Sequence, residues 1–301
     1  MINLFKDIFI QPTNGLGNRL RLIESYYKFC SFKGCKLNIY WTSSPGFSEE
    51  KFQDLFNIDT LNKSIINFIS KDQFLEVRKN VFCLDDFVFQ NDHSEHIVKN
   101  KDLIMDKIIN SSLCFRGSIC LNHVFEYDNI INKIHRKFKP NCFTSSLKPS
   151  HCLENEVKNI INYFNSDVLG VHIRRGDAIN GLWKDKYLFS TDEMFCEKIE
   201  EHDGFVFLST DCERTQSKFL SKFGNKIIYN PQKKFNNPNQ NILEEKLFQK
   251  DAVVDMFCLS ACSKMIGTNW SSFSEIASVI GRGVNSTNIP FNFKINEKEK
   301  I

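Results

Sequence analysis

The sequence lacks the features that place a chain in a membrane, on a nucleic acid or in the secretory pathway. No stretch reaches the roughly 18 consecutive apolar residues that a membrane span requires. The N-terminal stretch MINLFKDIFIQPTNG has only a short apolar patch and no small-residue cleavage site, so we expect no signal peptide and a cytoplasmic location. The net charge of +3 is too small to indicate binding to nucleic acid.

Recognisable metal-binding patterns are also absent from the sequence. Its eleven cysteines form no Cys-x-x-Cys pair, and we expect them to be reduced thiols that fill the core. The acidic pair Asp85–Asp86 and the segment Asp92–His96 could be read as metal ligands, but their spacing matches no known ligand set. A solvated loop is the favoured interpretation, and no metal site is predicted.

The sequence does contain the alternation of strands and helices that is typical of α/β proteins. Its 301 residues, of which 42% are hydrophobic and 25% charged, are typical of a soluble chain and suggest two domains, with one large domain as the alternative. Residues 139–150 are rich in proline and serine and have little apolar periodicity, which indicates a domain boundary. We therefore predict an N-terminal domain over 1–148, a C-terminal domain over 149–285 and a C-terminal tail over 286–301.

The first half opens with a strand over Asp7–Gln11, a helix to about Phe32 and a second strand over Lys36–Trp41, which together predict a βαβ unit. The turn before the helix contains Gly15, Gly17, Asn18 and Arg19 but no third glycine, so it is a weak dinucleotide fingerprint. Two interpretations stay open. The turn is either only a tight connection or also a place where a ligand approaches the backbone donors of the helix.

In the second half, polar side chains follow each of three predicted strands. The strand Val168–Ile173 leads into Arg174 and Arg175, and the strand Phe205–Leu208 is followed by Asp211. The strand Lys264–Ile266 precedes Ser271 and Ser272 at the start of a helix. In parallel sheets, ligands bind beyond the carboxyl ends of the strands, and paired guanidiniums there suit a nucleotide diphosphate. Surface arginines with no ligand are the alternative.

Several motifs resemble those of the fucosyltransferase superfamily that includes the α-1,6-, α-1,2- and protein O-fucosyltransferases. The segment His172-Ile-Arg174-Arg175-Gly-Asp177 matches the H-x-R-R-x-D signature of that superfamily. Further similar segments are the glycine turn of residues 15–19, Ser209-Thr-Asp211, Val254-Asp255-Met-Phe-Cys-Leu-Ser260 and Trp270-Ser271-Ser272-Phe-Ser274-Glu275. The resemblance is specific over about 167–282, thinner over 14–58 and absent over most of 60–150.

The resemblance implies a GT-B architecture, in which two Rossmann-like, doubly wound domains face each other across a cleft. It places the acceptor on the N-terminal domain and GDP-fucose on the C-terminal one. Carried over by position, it puts Arg174 on the β-phosphate with Arg175 supporting nearby. The remaining donor contacts that it implies are His172, Asp211 and Asp255 on the nucleoside and sugar, and Ser271 and Ser272 on the diphosphate. The implied reaction is an inverting transfer of L-fucose to a glycan hydroxyl.

The sequence also leads to two expectations about the chemistry, one about the metal and one about the catalytic base. The sequence has no Asp-x-Asp, the usual metal clamp of other glycosyltransferases, so we expect activity without a metal, with arginine stabilising the leaving phosphate. The acid that α-1,6 members carry shortly after the signature is missing, and the nearest carboxylates are Asp177 and Asp185. We expect Asp185 to assist deprotonation of the acceptor. A solvated loop aspartate, with the leaving phosphate taking the proton, is the alternative.

Two other functions fit the same residues. Arginines that hold a phosphate do not select the sugar, so the fold could use another nucleotide sugar. A glycan- or nucleotide-binding protein without catalysis is the rival from a different class. Slow release of GDP from GDP-fucose would distinguish an enzyme from such a binding protein.

Overall fold

A computed structural model of the chain describes residues 7–41, 50–84, 88–90, 96–98, 106–107, 109–117, 143–175, 190–235, 248–268 and 271–284. The chain divides into two compact units. The first comprises Met1–Phe52 and Ile58–Leu147, and the second comprises Gln53–Asn57 and Lys148–Ile301. The sequence also predicts a helix over 129–138; this helix and the predicted tail over 286–301 lie outside the described residues.

The first unit is built on a parallel sheet of five strands in the order β3-β2-β1-β7-β4. These are β1 (Ile8–Pro12), β2 (Leu37–Ile39), β3 (Ile66–Phe68), β4 (Phe82–Cys83) and β7 (Leu113–Gly117). Between β4 and β7 in the chain lie β5 (Val88–Gln90) and β6 (His96–Val98), which form a separate antiparallel pair. In addition to the strands at 7–11 and 36–41, the sequence predicts strands at 65–69 and 113–119, and these four agree with β1, β2, β3 and β7. His96 begins a strand instead of completing the solvated loop that we expected over 92–96.

Helix α1 (Leu16–Lys33) connects β1 to the parallel strand β2, which confirms the predicted βαβ unit. The helix ends at Gly34, whose φ of 71° is left-handed and whose N–H donates to the carbonyl of Cys30. The apolar spacing in the sequence predicts one buried face on this helix, but α1 also buries charged side chains. Buried Glu24 accepts hydrogen bonds from the N–H groups of Phe143 and Thr144, at 3.0 and 2.8 Å, which offset its loss of water.

Two further helices of this part of the chain are short. Phe52, Leu55 and Phe56 predict a short amphipathic helix, which agrees with α2 (Phe52–Leu55), whereas helix α3 (Lys71–Asn80) was not predicted. A capping box starts α3: the Ser70 hydroxyl accepts from the Gln73 N–H, and the Gln73 side chain accepts from the Ser70 N–H.

The second unit is built on a parallel sheet of four strands in the order β10-β9-β8-β11. They are β8 (Leu169–Ile173), β9 (Val206–Thr210), β10 (Ile227–Tyr229) and β11 (Lys264–Gly267). The helices of this unit are α4 (His151–Ile161), α5 (Asp192–Glu200), α6 (Glu213–Phe223), α7 (Gln249–Ser260) and α8 (Ser272–Val284). Three of the strands agree with those predicted from the sequence. The sequence also predicts helices over 150–164, 191–200, 212–223, 242–263 and 273–280, which agree with α4 to α8 to within a few residues where the chain is described. Residues 242–247 lie outside the described residues. Strand β10 was not predicted.

The core of the second unit explains why β8 lies inside the sheet. Every residue of β8 is buried, and Val171 and Ile173 pack in a cluster with Phe195 of α5, Leu208 of β9 and Phe219 of α6. A continuous apolar run is typical of a parallel strand that is covered on both faces. The described cysteines are free thiols and most are buried, as expected of core residues, although Cys152 is exposed.

Candidate functional site

The candidate site lies at the carboxyl edge of the parallel sheet in the second unit. Because β8, β9, β10 and β11 are parallel, the residues that follow each strand lie along one edge. Arg174 follows β8, Asp211 follows β9, Asn230 follows β10 and Thr268 follows β11. This is the edge at which sheets of this kind bind ligands.

Arg174 is fixed at this edge through its backbone and its side chain. Its N–H donates to the Thr268 hydroxyl at 2.8 Å, and the Thr268 N–H donates to the carbonyl of His172 at 2.9 Å. The guanidinium Nη1 lies 3.3 Å from Oδ2 of Asp211, and 32% of the Arg174 side chain is exposed. The arrangement holds a cation in a defined direction while leaving part of it open to a ligand.

Arg175 is placed differently from its neighbour. Its side chain is only 11% exposed, and the guanidinium forms an ion pair with Asp192 of α5. Its backbone N–H donates to Oδ1 of Asp211 at 2.6 Å, so the two oxygens of that carboxylate contact one arginine each.

His172 is buried in the last part of β8 and held by α8. Its Nδ1 lies 2.6 Å from the Ser274 hydroxyl, and its ring packs on Phe273 with the ring centroids 4.8 Å apart. The pKa of His172 is lowered to about 3, mainly because the ring is buried; Asp211 opposes this shift, and the charges of Lys233, Arg174 and Arg175 contribute to it. The imidazole is therefore neutral at physiological pH.

Asp255 of α7 is completely buried, and only one of its two carboxylate oxygens accepts hydrogen bonds from the described residues. Its Oδ2 accepts hydrogen bonds from the Ser209 hydroxyl at 2.6 Å and from the Lys233 ammonium. Its Oδ1 is buried and has no hydrogen-bond partner among the residues that the structure describes. Because an unpartnered buried carboxylate oxygen is costly, it is a candidate acceptor for an N–H or O–H group of a ligand.

Ser271 and Ser272 lie at the start of α8. The Ser271 N–H donates to the carbonyl of Thr268 at 3.2 Å, and the Ser271 carbonyl accepts from the N–H of Glu275 at 3.1 Å, in the first turn of the helix. The N–H groups at the start of a helix favour a negatively charged ligand.

The glycine turn belongs to the first unit, where Arg19 is buried completely. Its Nε donates to the carbonyl of Asn14 at 2.9 Å, and its guanidinium lies 4.9 Å from the centre of the Trp41 ring. Burial lowers the pKa of Arg19 to about 10. Asn18 accepts from Arg21 at 3.2 Å. These contacts favour the interpretation that Arg19 supports the turn from inside.

The structure thus brings most of the predicted donor residues together on one unit. The residues at or just after the carboxyl ends of the strands of one sheet are His172, Arg174, Arg175, Asp211 and Ser271. Ser272 begins α8, and Asp255 of α7 accepts a hydrogen bond from Ser209 of β9. Asp177 and Asp185 lie outside the described residues.

Four side chains that hold this site together were not predicted from the sequence to be site residues: Thr268, Asp192, Lys233 and Ser274. Lys233 follows β10, so a correct prediction of that strand would have drawn attention to it. Within the described ranges, no three His, Cys, Asp or Glu side chains are placed to hold a metal ion. No helix in the part of the chain that the structure describes is long and apolar enough to cross a membrane.

Comparison with known proteins gives no sequence relative but several structural ones. No protein-family model and no curated protein matches the sequence. Fucosyltransferase NodZ from Bradyrhizobium matches with a TM-score of 0.55 and 14% identity, over 91% of this chain and 93% of that one. FUT1 of Arabidopsis thaliana in complex with GDP matches with a TM-score of 0.59 and 13% identity, over 91% and 68% of the two chains. POFUT1 in complex with GDP matches with a TM-score of 0.54 and 13% identity, over 95% and 97%.

The chain has the fold of these fucosyltransferases. The predicted fold class, α/β of the GT-B type, is therefore confirmed, and the structural neighbours are the enzymes of the family that the motifs resemble. Two of them have also been studied with the sugar donor: NodZ was soaked with GDP-fucose, and POFUT1 was crystallised in complex with GDP-fucose.

Proposed function

We propose that this chain is an inverting glycosyltransferase that transfers L-fucose from GDP-fucose to a hydroxyl group of a glycan. The observation that carries the proposal is the placement of Arg174. It is a partly exposed cation, fixed by Thr268 and Asp211 at the carboxyl edge of a sheet. The fold is shared with fucosyltransferases that bind GDP and GDP-fucose.

Arg174 is proposed to bind the β-phosphate of the donor. Breaking the bond between the sugar and the phosphate leaves negative charge on the β-phosphate as GDP departs. A guanidinium that is already oriented stabilises that charge in the transition state, and it can take two phosphate oxygens at once. The N–H groups at Ser271 and Ser272 are proposed to add donors to the diphosphate.

The nucleoside and sugar are proposed to contact Asp255 and His172. Asp255 offers the open Oδ1, while the neutral ring of His172 offers a hydrogen bond without a charge. Asp211 was predicted in the same group. Since its oxygens contact Arg174 and the N–H of Arg175, we assign it to orienting Arg174.

The remaining roles rest on the sequence and the resemblance. We propose that Asp185 assists deprotonation of the acceptor, that the N-terminal domain binds the acceptor and that no metal cofactor is needed. Location in the cytoplasm also stays a prediction.

The proposal is tested with the purified chain and a panel of nucleotide sugars. A ligand that binds only the native state raises the melting temperature, so GDP-fucose should stabilise the chain more than GDP-mannose or UDP-glucose. In the absence of an acceptor, slow release of GDP from GDP-fucose should be detectable. Preferential stabilisation by another nucleotide sugar would identify a different donor. Stabilisation by GDP-fucose without GDP release, in the presence or absence of glycans, would indicate a binding protein.

A further inference from the structure

The guanidinium of Arg175 forms its hydrogen bonds with other groups of the protein. Its Nη2 donates to Oδ1 of Asp192 at 2.7 Å and to the carbonyl of Ser190 at 2.9 Å, and its Nε lies 3.3 Å from the same carboxylate oxygen. Its Nη1 donates to the carbonyl of Arg174 at 3.0 Å, and its guanidinium lies 5.8 Å from the centre of the Phe195 ring. A phosphate could be reached only by breaking several of these bonds.

Asp192 is held firmly as the partner of Arg175. It is the first residue of α5, where the helix dipole favours a carboxylate, and its Oδ2 accepts from Lys218 of α6 at 2.7 Å. Burial raises the pKa of Asp192, but hydrogen bonds from Lys218 and Arg175 outweigh burial, and the net pKa is below its usual value. The carboxylate is therefore ionised at neutral pH.

The contacts of Arg175 lead directly to Arg174. Arg175 holds the carbonyl of Arg174 through Nη1, and its own N–H holds Oδ1 of Asp211 at 2.6 Å. The other oxygen of Asp211 contacts the guanidinium of Arg174. A shift of Arg175 would therefore move both the backbone that carries Arg174 and the carboxylate that orients its side chain.

We propose that Asp192 is a positioning residue for the transfer reaction: it anchors Arg175, which in turn fixes Arg174 toward the donor phosphate. Arg175 then acts as a clamp within the protein and does not bind the phosphate itself. This inference rests on the proposed function, because it assumes that Arg174 contacts the β-phosphate of GDP.

The test measures the affinities of the chain for GDP and for GMP, which lacks the β-phosphate, by titration calorimetry. We expect Asp192→Asn to weaken GDP binding ~10-fold, the size of effect that supporting residues have on a site. GMP binding should change less than ~2-fold. In the Arg174→Ala background, Asp192→Asn should change GDP affinity by less than ~2-fold, because its effect passes through Arg174 and the two losses are not additive.

Glu193→Gln is the matched control. Glu193 is the next residue of α5 and its side chain is 77% exposed. The substitution removes the same negative charge as Asp192→Asn. Its GDP affinity should equal that of the unchanged protein. Asp192→Glu keeps the charge and should recover part of the affinity. If Asp192→Asn does not fold, Arg175→Lys replaces it, since lysine keeps the charge but loses the planar fork, and the same pattern is expected.

Three results would overturn these conclusions in different ways. If Asp192→Asn weakens GDP and GMP equally, its role is general stability of the fold. If it weakens GDP as much in the Arg174→Ala background as alone, Asp192 does not act through Arg174. Failure of the unchanged protein to bind GDP would overturn the proposed function itself, whereas the first two results leave that function standing.

Discussion

Arg174 lies beyond β8 with its guanidinium 3.3 Å from Asp211 and about a third of its side chain exposed. Arg174→Lys keeps the charge but cannot take two phosphate oxygens in one plane. We expect both Arg174→Lys and Arg174→Ala to lower kcat at least ~100-fold, the range found when a donor to a developing anion is removed. Turnover is measured as GDP release with GDP-fucose.

Arg78→Lys on α3 is the control for this substitution, and it should leave turnover unchanged. Near-normal kcat in Arg174→Lys would remove the guanidinium of Arg174 from the proposed catalytic role.

His172 should make the stability of the chain sensitive to acid. Its pKa is about 3 in the folded state and about 6.5 in an unfolded chain, so between these values only the unfolded state takes up the proton. The contribution of His172 to the free energy of unfolding is therefore fully present above about pH 6.5, and it is lost as the pH is lowered toward 3. Between pH 7.5 and 5 this one group should remove about 2 kcal/mol of unfolding free energy.

The measurement is urea unfolding of the unchanged chain and of His172→Asn over that pH range. The variant can still hydrogen-bond Ser274 but cannot titrate, so its stability should fall by about 2 kcal/mol less. Equal pH dependence of the two proteins would mean that His172 is not held neutral by burial.

The catalytic base is the least constrained residue of the proposal. In the sequence, Asp185 lies two residues after the apolar Trp183 and between Lys184 and Lys186. If Asp185 accepts the acceptor proton, Asp185→Asn should lose kcat and keep its GDP affinity, while Asp177→Asn should lose stability or donor binding. Full turnover by Asp185→Asn would favour the leaving phosphate as the proton acceptor.

At the scale of elements, β8 was predicted from the sequence and β10 was not. Strand β8 was predicted because it is a continuous buried run, as expected of a central parallel strand. Strand β10 has only three residues, Ile227–Tyr229, which is too few for a periodic pattern. Missing β10 also hid Asn230 and Lys233, although both follow from the same rule that identified Arg174 and Asp211.

Helix α3 was missed for a different reason. Only Phe74 and Val77 are buried on it, so its apolar stripe is weak. Its start signal, Ser70 followed by Gln73, was present in the sequence and would have indicated a helix. The pairing of Arg175 with Asp192 had no comparable signal, because it depends on how β8 and α5 pack.

The packing of β11 against α8 leads to a prediction about Gly267. A Cβ on Gly267 would lie 2.4 Å from Oγ and 2.7 Å from Cβ of Ser274, the residue that holds His172. Gly267→Ala should therefore force α8 away from the strand and destabilise the chain by ~1–3 kcal/mol, as overpacking does. Denaturant unfolding measures this loss.

Ser274→Gly removes both clashing atoms, so Gly267→Ala should cost less in that background than alone. If the two substitutions add, the close approach of Gly267 to Ser274 is not the cause of the loss.

At the scale of the whole molecule, the proposed donor contacts described by the structure all belong to one unit. The second unit contains His172, Arg174, Asp211, Asp255 and Ser271. The motifs that resemble those of fucosyltransferases most specifically lie in the same unit. In the first unit, Arg19 and Glu24 are buried, and each forms hydrogen bonds to the backbone within the protein. This division explains why the sequence pointed to a donor but to no particular acceptor.

The last prediction concerns metal dependence of the complete reaction. The sequence contains no Asp-x-Asp, and Arg174 is the cation that we propose for the leaving phosphate. A guanidinium stays charged over the whole range of working pH and needs no added ion. Transfer by the full chain should therefore proceed at the same rate in excess chelator and in added Mg²⁺ or Mn²⁺. A metal-dependent glycosyltransferase assayed in parallel shows that the chelator is effective. If chelation abolishes turnover of this chain and metal restores it, Arg174 does not by itself supply the charge that the departing GDP requires.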